Sequence, residues 1–262
     1  DDDWTVSGDD MNSNVSGNVG IGTTTPGATL DVAGHIWQTG TGGSVFIGEG
    51  AGENDYFSNN HNIALGTAAL YNNTTKDGLV AIGDSALYNN GIGATEPLHS
   101  IKNTAVGSKA LYSNTIGGGN TANGYQSLYN NTTGWDNTAN GVFALFNNTT
   151  GARNNANGVR SLYDNTTGFR NIANGFASLR NNTTGHDNTA NGVYSLYTNT
   201  TGNYNNANGS FSLNHNTTGS SNVANGRMAL YSNETGYSNV GVGVGALYSN
   251  TDKSNLVAIG DS

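Results

Sequence analysis

The chain has 262 residues, only 10% of them charged, and its 44 Asn and 39 Gly disfavour helices while favouring turns and left-handed backbone. That composition excludes a helical bundle, and a net charge of -9 opposes the counterion release that drives nucleic-acid binding. With no Cys there is no disulfide framework, thiolate metal site or thiol nucleophile, and no run approaches the ~18 apolar residues of a membrane span.

Residues 1–43 read as an N-terminal segment and 44–262 as a repeat array. Asp1, Asp2, Asp3, Asp9 and Asp10 open the chain. Carboxylate oxygens suit Ca²⁺, but no Asp-x-Asp-x-Asp-Gly spacing is present, so a solvated terminus is the preferred reading. The opening lacks the basic and apolar regions of a signal peptide, as expected of a mature or trimmed product.

In the array, Asn-x-Ala-x-Gly recurs with its last residue at Gly107, Gly124, Gly141, Gly158, Gly175, Gly192, Gly209 and Gly226. Altered forms at Gly48, Gly66, Gly83, Gly243 and Gly260 bring the count to 13 copies. The step is 17 residues, except 18 from Gly48 to Gly66 and 24 from Gly83 to Gly107. The seven extra residues, near 91–100, are expected to loop outward because the period survives them. A Leu follows each central Gly by four residues, as Leu128, Leu145 and Leu162, and Asn-Thr-Thr-Gly closes most copies. Each copy therefore reads as strand, bend, short strand and turn, with the turn Gly supplying positive φ.

Seventeen residues are too few for the paired helices of helical solenoids, whose repeats run to about 33. They suit one coil of a β-solenoid, whose rungs stack ~4.8 Å apart, so that twelve steps span roughly 58 Å. Alternation places Ala139 and Gly141 inside, where small residues let two walls close, and Leu145 in the wider part of the core. The opposite face is Asn from Asn123 to Asn225 in the middle copies and apolar near the ends. Ile63, Leu65, Val80, Ile82, Val257 and Ile259 are the candidate interface, because apolar faces at both ends predict self-association.

Leu79-Val-Ala-Ile-Gly-Asp-Ser-Ala-Leu87 and Ser-Asn-Leu-Val-Ala-Ile-Gly-Asp-Ser at 254–262 resemble the Asn-Ser-Val-Ala-Ile-Gly-x-x-Ser repeat of YadA-type trimeric autotransporter adhesin heads. The Asn-Thr-Ala-Asn-Gly and Leu-Tyr-Asn-Asn-Thr-Thr-Gly copies resemble bacterial tail-fibre-like surface repeats, as does Val-Gly-Ile-Gly-Thr-Thr-Thr-Pro-Gly-Ala-Thr-Leu-Asp-Val-Ala-Gly within 17–34. The resemblance implies an all-β, left-handed parallel β-roll, a homotrimeric rod at the cell surface or on a phage-like particle, and adhesion or fibre architecture. A surface glycan or host receptor is the partner it implies, with no cofactor. The repeat is longer than the adhesin-head coil, and the middle copies replace Val and Ile by Thr and Asn. A chain ending partway through a copy is expected to be followed by more chain, or to pair end to end in filaments.

Nothing in the sequence marks catalysis, a metal centre or a cofactor site. His35, His61, His99, His186 and His215 share no ligand spacing. The acids Asp136, Asp164, Asp187 and Glu234 are too scattered for a polysaccharide-cleaving groove. Asn-x-Thr recurs at Asn73, Asn131, Asn148, Asn165, Asn182, Asn199, Asn216 and Asn233, and stacked turn ladders are preferred to glycosylation because sugars ~4.8 Å apart would crowd. The Thr pairs Thr132 and Thr133, Thr149 and Thr150, and Thr166 and Thr167 form a candidate ligand ladder for glycan or ice. Tyr129, Phe146, Tyr163, Tyr197, Tyr231 and Tyr248 could offer sugar platforms or simply cover the coil edge.

Overall fold

The computed structural model describes the backbone of 4–7, 10–13, 19–21 and 30–32, and residues 43–56 and 60–261 in full. Contacts divide the chain into two units, Asp1–Gly40 and Thr41–Ser262. In the first, β1 (Trp4–Ser7) pairs antiparallel with β2 (Asp10–Ser13), and β3 (Val19–Ile21) pairs parallel with β4 (Leu30–Val32). The last two strands fall within the fibre-like motif; its residues 17–18, 22–29 and 33–34 lie outside the described residues, as do Asp1, Asp2, Asp3, Asp9 and His35.

The second unit is a β-solenoid. Its strands are β5 (Val45–Ile47), β6 (Ile63–Leu65), β7 (Val80–Ile82), β8 (Thr104–Val106), β9 (Thr121–Asn123), β10 (Thr138–Asn140) and β11 (Asn155–Asn157). They continue as β12 (Ile172–Asn174), β13 (Thr189–Asn191), β14 (Asn206–Asn208), β15 (Val223–Asn225), β16 (Val240–Val242) and β17 (Val257–Ile259). All 13 form one parallel sheet in sequence order, and the described residues contain no helix. Pairing is strictly in register, so Ala139 meets Ala122 on one side and Ala156 on the other. The long step does not disturb this, since Ala81 still pairs Ala105, and Leu98 of the inserted segment stands exposed.

Three-residue strands leave one inward side chain each. It is Ala in nearly every coil, fully buried from Ala64 through Ala224, and it faces the equally buried Leu128, Leu145, Leu162 and their equivalents. Between them lies a file of Ala or Ser three residues after the strand Gly. Where it is Ser, the buried hydroxyl donates to the carbonyl of that Gly, as Ser161 Oγ does to Gly158 O at 2.9 Å. The core is thus three side chains thick, an Ala, an Ala or Ser, and a Leu, extended by repetition.

Three local expectations are corrected. No second strand follows the bend: Leu128, Leu145 and Leu162 instead take φ of 51°, 50° and 49°, and the residue two before each is also left-handed. A bulky residue in this region costs about 1 kcal/mol. Complete burial of its side chain, worth about 1.5–3 kcal/mol, offsets that, and its N–H still reaches the next coil, Leu145 N donating to Ser161 O at 3.0 Å. Nor does the strand Gly close the coil wall to wall. Gly141 has φ 137° and follows the strand, and a Cβ there would lie 2.7 Å from the Gly158 carbonyl carbon, so the close approach is axial. Finally, the turn Gly is not in the positive-φ region; a Cβ on Gly134 would strike the Asn131 and Asn148 side chains.

Gly141→Ala therefore combines backbone strain with an axial clash. It should destabilise the array by about 2–4 kcal/mol, whereas exposed Thr150→Ala should stay within about 0.5 kcal/mol. Urea unfolding, with hydrogen exchange to localise the loss to the coils around 124–175, checks both.

Candidate functional site

Buried asparagines form two hydrogen-bonded files that run inside the coil. The first begins each Asn-Thr-Thr-Gly turn. Asn148 Nδ2 donates one hydrogen to Asn131 Oδ1 at 2.7 Å and the other to Gly151 O at 2.9 Å, while its own Oδ1 accepts from Asn165 Nδ2 at 2.8 Å. The second file precedes the strand. Asn137 Nδ2 reaches Gly151 O at 2.8 Å and Asn120 Oδ1 at 3.2 Å, and the Asn137 backbone N–H donates to the same Oδ1 at 3.0 Å. One Gly carbonyl per coil thus accepts from both files. A primary amide is both donor and acceptor, so it can bond to its own copy above and below, which removes the penalty for burial.

The first file has a direction, each Nδ2 pointing to the preceding coil. Its head has Asp55 where later coils have Asn, and this buried carboxylate accepts from Asn60 at 3.0 Å, Asn62 at 3.3 Å and Asn73 at 3.1 Å. An acceptor-only group suits the end toward which every donor points. Sequence reasoning assigned these asparagines to turns. The signal was present, since Asn recurs at a fixed offset on both sides of the strand Gly, where a turn alone would tolerate Asp or Ser. The eight Asn-x-Thr positions named above, Asn73 through Asn233, belong to this file and are fully buried, whereas Asn72, Asn130, Asn147 and Asn181, which also precede a Thr by two residues, lie outside it and are half-buried. In the folded coil the amides of the eight face inward and hold hydrogen bonds, leaving no face for a glycan.

The outward strand face holds the candidate interface. Ile63, Ile82, Val257 and Ile259 are exposed, the last two at 71% and 79%, with Leu65 and Val80 half-buried. Between these ends the face carries a third amide ladder, with Nδ2 to Oδ1 distances of 2.8, 2.9, 2.8 and 2.7 Å along Asn140, Asn157, Asn174, Asn191 and Asn208.

The two Thr files differ. The first donates into the backbone, Thr132 Oγ1 to Thr149 O at 3.1 Å and Thr149 Oγ1 to Thr166 O at 3.0 Å. The carbonyl of Thr149 also accepts the N–H groups of Thr132, Thr133 and Gly134. The second file points outward, with Thr150 and Thr167 exposed and Thr133 half-buried. Beside the first file runs an open groove of about 660 Å³ lined by Thr132, Thr149, Thr166 and Thr183 and by Asn130, Asn147, Asp164 and Asn181.

The edge aromatics use their faces on one another. Tyr129, Phe146 and Tyr163 stack with centroids 5.2 Å apart and planes within 9°. Arg180 takes the next place, its guanidinium 5.1 Å from the Tyr163 ring and 5.8 Å from that of Tyr197, and Tyr231 stacks on Tyr248 at 4.9 Å. Of the histidines, His61 lies beside Asp77, whose carboxyl is held below its ordinary pKa chiefly by the His61 backbone N–H at 2.8 Å. His215 packs edge-on against Tyr231, and His186 joins a separate surface cluster with Phe169 and Asp187. No group of three His, Cys, Asp or Glu among the described residues is placed to hold a metal ion.

These features define a β-solenoid repeat protein with a polar-laddered interior. Comparison with family models, curated proteins and solved structures finds no match to the chain.

Asn148→Ala would leave Asn131 Oδ1 and Asn165 Nδ2 each lacking a buried partner, and should cost about 2–4 kcal/mol. Asp55→Leu should cost at least as much, because three amides lose their acceptor. Chemical denaturation with hydrogen exchange of the neighbouring coils measures both.

Proposed function

We propose that the chain is a segment of an extracellular or cell-surface fibre or adhesin, whose array supplies length, stiffness and a multivalent surface without catalysis. The observation that carries this reading is the uninterrupted register of 13 strands, in which interior positions and much of the surface are organised as ladders along one axis. Such an array resists bending because any bend must stretch the backbone and amide hydrogen bonds that run along its convex side. The resemblance to trimeric adhesin heads supports a left-handed homotrimer packed through the outward strand face. Ile63, Leu65, Val80, Ile82, Val257 and Ile259 would then meet their counterparts, and the amides from Asn140 to Asn208 would supply self-complementary polar contacts.

The groove beside the Thr132 file favours a second reading, a ligand-binding solenoid that lays a linear ligand along the axis. Ice is the weaker occupant, because the first Thr file directs its hydroxyl hydrogens to backbone carbonyls.

Light scattering on the eluting peak should give three times the 27.0 kDa chain mass, and small-angle scattering a rigid array of at least roughly 58 Å. Ile82→Lys should reduce the mass toward one chain without unfolding the coils. A wild-type mass of one chain would remove the trimer and leave the strand face free for a ligand.

A further inference from the structure

Residues that repeat every coil are explained by stacking, so the positions where the repeat is broken are where chemistry specific to a ligand should be sought. Two neighbouring files, eleven and twelve residues after the strand Gly, break it with aromatic and charged side chains at one level of the array. The first reads Trp135, Ala152, Phe169, His186, and the second Asp136, Arg153, Arg170, Asp187. Phe169 stacks on His186 with centroids 4.6 Å apart, and the indole of Trp135 is 43% exposed. Ala152 interrupts the row. With rungs ~4.8 Å apart, Trp135 and Phe169 stand about 9.5 Å from each other across it, and a cavity of about 260 Å³ opens between them.

The two cations at this cavity are held differently. Arg170 lies 4.8 Å over the Phe169 ring and is fixed by Asp187, Nε to Oδ1 and Nη2 to Oδ2 both at 2.9 Å. Arg153 lies 4.1 Å over the Trp135 ring and has no ion pair among the described residues. On a chain of net charge -9, a cation without a carboxylate partner, placed over an exposed indole at a cavity that Thr150 and Thr167 also line, is arranged for an incoming anion.

We propose that this gap is a binding subsite for a carboxylated pyranose, a sialic or uronic acid residue of a glycan. The apolar face of the sugar ring would lie in the gap between Trp135 and Phe169, its carboxylate on Arg153, and its hydroxyls on Thr150 and Thr167. A planar aromatic anion would gain stacking but leave the Thr hydroxyls unused, and a bare anion would leave the rings unused. The proposal deepens the adhesin reading and rests on it for its biological setting, whereas the site itself belongs to a single chain.

Saturation-transfer NMR and calorimetry with methyl α-N-acetylneuraminide, methyl glucuronide, methyl galactoside and sodium acetate test it on the whole chain. The expected result is saturable binding of one or both acidic sugars, with Kd about 1 mM, as a small exposed site allows. The arm that binds distinguishes a sialylated from a uronate-bearing source. Galactoside and acetate should bind at least tenfold more weakly. Ala152→Phe, which continues the aromatic row and fills the gap, and Arg153→Met, which keeps the stem without the charge, should each weaken binding at least tenfold while circular dichroism and melting stay unchanged. Equal binding of galactoside or acetate, undiminished binding by Ala152→Phe, or no binding by either acidic sugar at 20-fold the expected Kd, about 20 mM, would overturn the proposal. None of these outcomes alters the chain mass or array length, on which the fibre reading stands or falls.

Discussion

In this array each residue's principal neighbour is its own copy, one coil away at ~4.8 Å. The composition follows from that constraint. A residue type can repeat along the axis only if it tolerates contact with itself. Ala and Leu do so by packing, Tyr and Phe by face-to-face stacking, Gly by leaving room for backbone, and Asn by donating and accepting at once. A charged residue cannot, because like charges at that spacing repel, which accounts for a chain with 10% charged residues and 44 Asn. Where charge enters a file it is single or matched, except at the step from Arg153 to Arg170, where two cations stand in successive coils and only Arg170 has a carboxylate partner. Asp55 ends an amide ladder, Arg180 sits between Tyr163 and Tyr197 and within 3.8 Å of Asp164, and Arg170 pairs with Asp187 in the next coil.

The amide ladders also explain how so thin a core holds its shape. One Leu and one or two Ala per coil bury little apolar surface, and the left-handed backbone at the Leu of each bend, as at Leu145, opposes the fold. Asn files on either side of the turn Gly supply what the apolar core lacks. They tie each coil to the next through buried hydrogen bonds that leave only Asn250 Oδ1, at the last coil, unsatisfied among the described residues, and mismatch there is costly. Every bond depends on register, so the same interactions that stabilise the array forbid slippage between coils. A one-residue slip would place Asn against Thr inside and Ala against Asn in the strand. The 24-residue step is accommodated because its extra length lies outside this register, with Asn90 and Asn114 still bonded at 2.9 Å across it.

The period, the 13 copies, the inward Ala and the buried Leu were legible because each is a statement about spacing, and spacing survives in a sequence. The second strand expected after the bend was not, since Leu-Tyr-Asn has the pattern of a strand and nothing local requires φ near 50° at Leu145. That conformation is imposed by the coil below, a tertiary constraint invisible in one copy. The Gly residues were recognised as necessary but for the wrong contacts: Gly141 yields to Gly158 along the axis, and Gly134 yields to two Asn side chains. The interior Asn files were misplaced for a related reason. Asn beside Gly is an ordinary turn signal, and its burial becomes favourable only when an identical amide is stacked on it.

Strict repetition also separates architecture from recognition. A mutation that spreads through all copies of a file changes the rod, whereas one confined to a single coil changes only a surface. Trp135, Ala152, Arg153 and Phe169 occur in files where other coils carry Gly, Asn, Ser or Tyr, and their backbone hydrogen bonds are those of every coil, Arg153 N donating to Trp135 O at 3.0 Å as Arg170 N does to Ala152 O. The coil constrains these positions through their backbone, left-handed at Arg153 with φ 57°, rather than through their side chains. A stack of self-complementary files that fixes the backbone register leaves the outward side chains free to vary, and an aromatic and cationic cluster at one level can arise without loss of the coils above or below. In a molecule of this kind, recognition is written in the exceptions to the repeat, and the regular files set where those exceptions stand along the axis.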